Sequence, residues 1–115
     1  MLSWLVIKNT GKEDNMKLLT KAILNALPSL YATDHLMAAD KAVLVKFFCP
    51  WSHRTWYGVE YDPEQELFFG YTKGHYKEWG YFSLAEMKKV TGPMGLKIER
   101  DLYFKPCKFK NLEIS

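Results

Sequence analysis

The sequence predicts an α+β domain: a four- or five-stranded antiparallel sheet with two helices on one face. Three observations predict it. Strand-length segments, apolar or alternating, follow one another between residues 42 and 82. Their connections are short, and parallel strands need crossovers of a dozen or more residues, so the run is an antiparallel meander. A segment with helical apolar spacing precedes the run, and a helix-capping sequence follows it.

Taken in order, residues 1–8 alternate loosely around Trp4, Val6 and Ile7 and are expected to form a short strand, and 9–15 read as a turn or linker. Asp14 or Asn15 would cap a helix from Met16 to Leu27, with Leu19, Ile23, Ala26 and Leu27 on one face and Pro28 ending it. Residues 42–48 (AVLVKFF) are a strand-length apolar run, broken by Pro50 and Ser52. Residues 54–61 alternate, with Thr55, Tyr57, Val59 and Tyr61 on one face and Arg54, Trp56 and Glu60 on the other. The turn Asp62-Pro63-Glu64-Gln65 leads into a strand at 67–72, and Lys73-Gly74 turns the chain into another at 76–82. Ser83-Leu84-Ala85-Glu86 is a capping box that opens a helix of about two turns, ended by Gly92-Pro93. Residues 96–104 alternate in part and supply a fifth strand.

At 115 residues the chain is one domain's worth. Its 48% hydrophobic and 25% charged residues exclude a disordered or fibrous chain. No stretch approaches the ~20 apolar residues of a membrane span. The first apolar residues stop at Lys8, without the pattern of a signal peptide. Two isolated cysteines, Cys49 and Cys107, make no disulfide framework, so a reduced, cytoplasmic chain is expected. The net charge of +3 is too slight to indicate nucleic acid by itself. Its distribution says more. There is no acid between Asp40 and Glu60, a stretch that holds Lys41, Lys46, His53 and Arg54. Residues 60–66 then carry four acids and no base, and 105–110 carry Lys105, Lys108 and Lys110 and no acid.

Three constellations bear on chemistry. The first is the basic, aromatic stretch 46–57, in which Lys46, Arg54, Trp56 and Tyr57 would hold phosphates and stack on bases, with Lys105, Lys108 and Lys110 as further phosphate contacts. The competing reading makes Phe47, Phe48 and Tyr57 core, with Arg54 lying over Trp56. The second is Glu99-Arg100-Asp101, whose two carboxylates share a strand face and, with Glu60, would hold Mg²⁺ in a nuclease centre. Its competing reading is an ion-pair cluster in which Arg100 meets Glu60 or Glu86. The third, Cys49, Cys107, His53 and His75, lacks the close pairing of zinc ligands, and no metal or other cofactor is expected.

Five blocks in order resemble a known family. They are Leu27-Pro28-Ser29-Leu30-Tyr31-Ala32-Thr33-Asp34, Lys46-Phe47-Phe48-x-Pro50, Thr55-Trp56-Tyr57-x-x-Glu60, Phe68-Phe69-Gly70 with Glu78 to Glu86, and Gly92 to Phe104. Together they look like the small bacterial proteins of domain-of-unknown-function family 2958, from Met16 to about Pro106. The resemblance implies carriage on plasmids, phages and integrated elements, and no established activity. The chain departs from the family pattern at Cys49, Trp51, Arg54 and Trp79. Because the match starts at Met16, residues 1–15 are expected to be an extension and 16–115 the domain. Three functions follow as expectations. The first is a non-enzymatic accessory protein that binds single-stranded nucleic acid or a nucleoprotein. The second is a module that blocks or recruits a host protein through Trp51 and Trp79. The third is a divalent-metal nuclease using Glu60, Glu99 and Asp101.

Overall fold

The computed structural model describes residues 17–113. The strand expected at 1–8 and the extension at 1–15 lie outside them. Helix α1 (Lys21–Ala26) is followed by strands β1 (Ala42–Val43), β2 (Val45–Phe48), β3 (Thr55–Asp62), β4 (Leu67–Lys73) and β5 (Lys77–Ser83). Helix α2 (Leu84–Lys89) and the two-residue strands β6 (Glu99–Arg100) and β7 (Cys107–Lys108) complete the order. Five strands form one antiparallel sheet in the order β5-β4-β3-β2-β6, and β1 pairs with β7 in a small ribbon. The fold is α+β, with both helices packed on one face of the sheet.

Apolar alternation builds the core on the helix side. Val45, Phe47, Trp56, Tyr61, Phe68 and Phe82 point to that face and meet Leu84 and Met87 of α2, with Ile23 and Leu27 of the α1 segment packed at the margin. Phe68 is the hub: its ring lies 4.5 Å from Tyr61, 5.0 Å from Phe82 and 5.5 Å from Phe47. Fully burying one such ring is worth about 1.5–3 kcal/mol. The second face is not open. Val43, Tyr57 and Val59 are buried there, and Phe104, Phe109 and Leu112 of the C-terminal segment pack over them with Tyr71 and Trp79.

Three expectations are corrected. The first helix begins at Lys21, because Thr20 takes the capping place and its hydroxyl accepts the Ile23 N–H at 3.2 Å. The fifth strand is only Glu99–Arg100, because beyond Asp101, whose N–H still reaches Lys46 O at 2.9 Å, residues 102–106 cross toward the second face. The faces of β3 also change partway along. Gly58 pairs with Gly70 and Glu60 with Phe69, so Val59 is an extra residue, a β-bulge. Beyond it Tyr61 joins Trp56 on the helix side, and Glu60 joins Tyr57 on the other.

The capping box forms as expected, with the Ser83 hydroxyl accepting the Glu86 N–H at 3.1 Å. Residues 42–48 divide at Leu44 into a ribbon strand and a sheet strand, although the Leu44 N–H still reaches Gly58 O at 3.0 Å. Both cysteine thiols are free, and among the described residues no helix is long and apolar enough to cross a membrane.

Candidate functional site

The sheet has two chemically different ends. At one end lie the β2–β3 connection, residues 49–54, and the β4–β5 hairpin tip, residues 73–77. The connection is held tight by its own hydrogen bonds: Cys49 N–H to Arg54 O at 3.0 Å, Ser52 N–H to Cys49 O at 3.2 Å, and Arg54 N–H to the Ser52 hydroxyl at 3.2 Å. Trp51 is anchored on Gly92, where an added Cβ would come within 2.5 Å of the indole. The guanidinium of Arg54 lies over the Trp56 ring, 5.3 Å from its centroid, and the Arg54 stem runs along Gly74 of the hairpin tip.

Between the connection and the tip is a groove of about 660 Å³, lined by Trp51, His53, Arg54, Thr72, His75 and Tyr76 among others. Tyr76 is 78% exposed, so its ring is free to stack on a planar ligand. Glu78 is the one acid in the lining. Lys73 and Lys77 face each other in the β4–β5 ladder at the tip.

The residues expected to bind nucleic acid do not form one surface. Trp56 and Tyr57 are 6% and 5% exposed, so neither ring offers a stacking face; the core reading of these aromatics is the one the structure supports. Burial in the C-terminal satellite core is also the larger cause that raises the Tyr57 phenol above its ordinary value, with the Asp101 carboxylate adding to it. Lys46 is on the second face, paired with Asp101 at 3.5 Å and lying 5.8 Å from the Tyr57 ring centroid. Lys105 and Lys108 are exposed on the C-terminal segment, and Lys110 pairs with Asp40 at 3.2 Å. Arg54 alone of the expected set lines the groove, where His53, His75 and Tyr76 join it. The acid-free stretch pointed to His53; His75 and Tyr76 come from the hairpin tip, which only the pairing of β3 with β4 brings alongside.

The expected carboxylate site does not assemble. Glu60 is 2% exposed, and its oxygens accept the backbone N–H groups of Tyr31 at 2.8 Å and Thr33 at 3.0 Å, together with the Thr33 hydroxyl. Lys41, also buried, donates to Thr33 O at 2.5 Å and to its hydroxyl at 2.9 Å. Glu60 thus braces the 28–34 loop, whereas Asp101 is committed to Lys46 beside Tyr57, three residues away along β3 or about 10 Å at strand rise. Glu99 pairs with Phe48, and Arg100 with Phe47 on the face opposite Glu60. Among the described residues, no three His, Cys, Asp or Glu side chains gather where they would hold one metal ion.

The two tryptophans expected as partner anchors are engaged within the molecule. Trp51 packs on Gly92, and Trp79 lies 4.7 Å from the Phe109 ring and 5.4 Å from Tyr71.

No curated protein and no solved structure matches this chain. One family model does, the one described as protein of unknown function (DUF2958), over residues 18–110. That span takes in the sheet, both helices, the groove and the Glu60 brace, and on it the chain belongs to the DUF2958 family.

Proposed function

We propose that this protein binds single-stranded nucleic acid, without cleaving it, in the groove between residues 51–54 and the β4–β5 hairpin tip. In the setting that the family resemblance implies, it would serve as an accessory protein of a mobile element. The observation that carries the proposal is the lining itself: Arg54, His53 and His75 beside the exposed ring of Tyr76, with Trp51 at the wall. Cations track phosphates and aromatic faces stack on bases, a combination that tolerates any base sequence. Paired bases inside a duplex present no free face to Tyr76, so single strands are favoured.

Trp51 and Arg54 are also positions where the chain departs from the family pattern.

Fluorescence anisotropy of a labelled single-stranded oligonucleotide, at two salt concentrations and with or without Mg²⁺, tests the proposal. Binding that weakens with salt and leaves the oligonucleotide intact is expected, because neutralised phosphates release counterions. Absence of binding at low salt overturns it. Cleavage in the Mg²⁺ samples would return attention to Glu99 and Asp101.

A further inference from the structure

The two edges of the sheet are unequal. One is β6, only two residues long. The other is β5, seven residues, paired with β4 in unbroken register from Leu67–Ser83 to Lys73–Lys77. Long exposed edges are normally blunted by proline, by a bulge or by charge within the strand. β5 carries charge only at its first two residues, Lys77 and Glu78, and from Trp79 to Phe82 it has none of these. Its outer edge has no strand neighbour among the described residues.

Gly80 lies at the middle of this edge. A glycine inside a strand weakens it and commonly marks a bulge, a bend or the close approach of another backbone. There is no bulge at Gly80, its φ is not positive, and a Cβ there would meet nothing within 4 Å. Gly70, its ladder partner, differs: a Cβ there would run into the Tyr57 carbonyl oxygen. The chain's own packing requires glycine at 70 and not at 80.

Charge identifies the occupant. The end where β5 begins has an excess of positive charge, with Arg54, Lys73 and Lys77 against the single acid Glu78. The end where it finishes is acidic, with Asp62, Glu64 and Glu66 in the β3–β4 turn and Glu86 at the start of α2. Lys88 pairs with Glu66 there, leaving Asp62, Glu64 and Glu86 as the excess. An antiparallel neighbour identical to β5 brings the basic end of each copy beside the acidic end of the other.

We infer that β5 pairs antiparallel with β5 of a second copy about a two-fold axis at Gly80, joining two sheets into one. In this register Gly80 faces the partner's Gly80 and Trp79 faces the partner's Tyr81. Tyr81 is 53% exposed, and its ring stands on the same face as Trp79. The contact is isologous, so it closes as a dimer and does not propagate into a fibre.

The test is sedimentation velocity of the full chain across the micromolar range, together with oxidative cross-linking. The wild type is expected to sediment as a dimer. Tyr81→Lys is expected to weaken the dimer at least tenfold while circular dichroism stays native, and raised salt is expected to weaken it several-fold. On a Cys107→Ser background, Gly80→Cys is expected to form a disulfide-linked dimer and Glu78→Cys is not. A wild-type monomer throughout the range overturns the inference. So does a dimer that ignores Tyr81→Lys, or one that does not cross-link through position 80. Tyr76→Ala changes the groove but neither the β5 pairing nor the charged ends and leaves the dimer intact, so loss of nucleic-acid binding and loss of the dimer are separable.

Discussion

The Glu60 carboxylate accepts the backbone N–H of Tyr31 at 2.8 Å, joining residues 29 apart in the chain. Tyr31 itself holds a positive φ of 72°, a conformation that a side chain disfavours. The second oxygen of Glu60 takes the Thr33 N–H, and Pro28 O accepts the Tyr61 N–H at 2.9 Å. The 28–34 loop is thus fastened to β3 through adjacent residues, and its unfavourable turn is compensated by a buried charge.

Removing that charge is the first prediction. Glu60→Ala leaves two part-buried backbone donors and the Thr33 hydroxyl without their acceptor, at about 1–3 kcal/mol for each donor left unpaired. Glu60→Gln keeps an acceptor but turns an amide N–H₂ toward a donor, and costs about 1–3 kcal/mol. Urea denaturation with an unchanged m-value checks both. A loss below 1 kcal/mol in Glu60→Ala would show that the brace is not what holds the loop.

Glycines 70 and 80 make a contrasting pair. Gly70→Ala must push apart β3 and β4 at the Tyr57 carbonyl, and is expected to give unfolded or insoluble protein. Within its own chain Gly80→Ala meets open space and restricts the unfolded chain, so at concentrations where the protein is monomeric it is expected to raise stability by about 0.4–1 kcal/mol. Thermal denaturation of the two variants side by side reads the difference. Equal behaviour would contradict the packing described for the centre of the sheet.

Alkaline pH tests the tyrosines. Burial first, then the carboxylates of Asp101 for Tyr57 and of Glu66 and Asp62 for Tyr61, hold both phenols above their ordinary value near 10. The folded protein therefore keeps protons that the unfolded chain loses as pH rises past about 10, and stability falls in that range. The contribution is intact below pH ~10 and is lost above it. Melting temperatures of the wild type should drop more steeply through this window than those of a Tyr57→Phe, Tyr61→Phe double variant. Parallel curves would mean that other groups govern alkaline unfolding.

Two faces of the molecule separate the expected nucleic-acid contacts. Tyr76→Ala removes an exposed stacking ring and is expected to weaken binding by about 1–3 kcal/mol. Arg54→Ala should weaken it roughly tenfold, about 1.4 kcal/mol, and flatten the salt dependence. Lys108→Ala, on the ribbon that covers the second face, should leave binding unchanged. Anisotropy titrations of the three variants decide it, and an effect confined to Lys108 would move the site to the C-terminal segment.

Much of this architecture was legible in the residues. Alternation in 54–61, the apolar run at 67–72 and the S-x-x-E sequence at Ser83 place strands and a helix because each signal is local. What was not legible depends on partners distant in sequence. The cover over Tyr57 comes from Phe104 and Phe109, so β3 alone does not show whether that face is open to stacking. Glu60 looked like an acid available to a metal, because nothing local shows that the 31–33 amides close over it. The groove was half visible: the 51–54 side follows from the basic, aromatic stretch, and the 75–76 side requires the strand register.

The extra residue at Val59 makes β3 a counter with one added step. Upstream and downstream side chains obey opposite parities, so the strand's two halves are written in different phases. Deleting Val59 would remove the added step and leave the assignments standing, with Glu60 still opposite Phe69 and Tyr61 still opposite Phe68; what would be lost is the buried Val59 side chain and the local bend. Two strands that differ by this one residue can therefore present the same two faces, and length at the bulge is a looser constraint than the identities on either side of it.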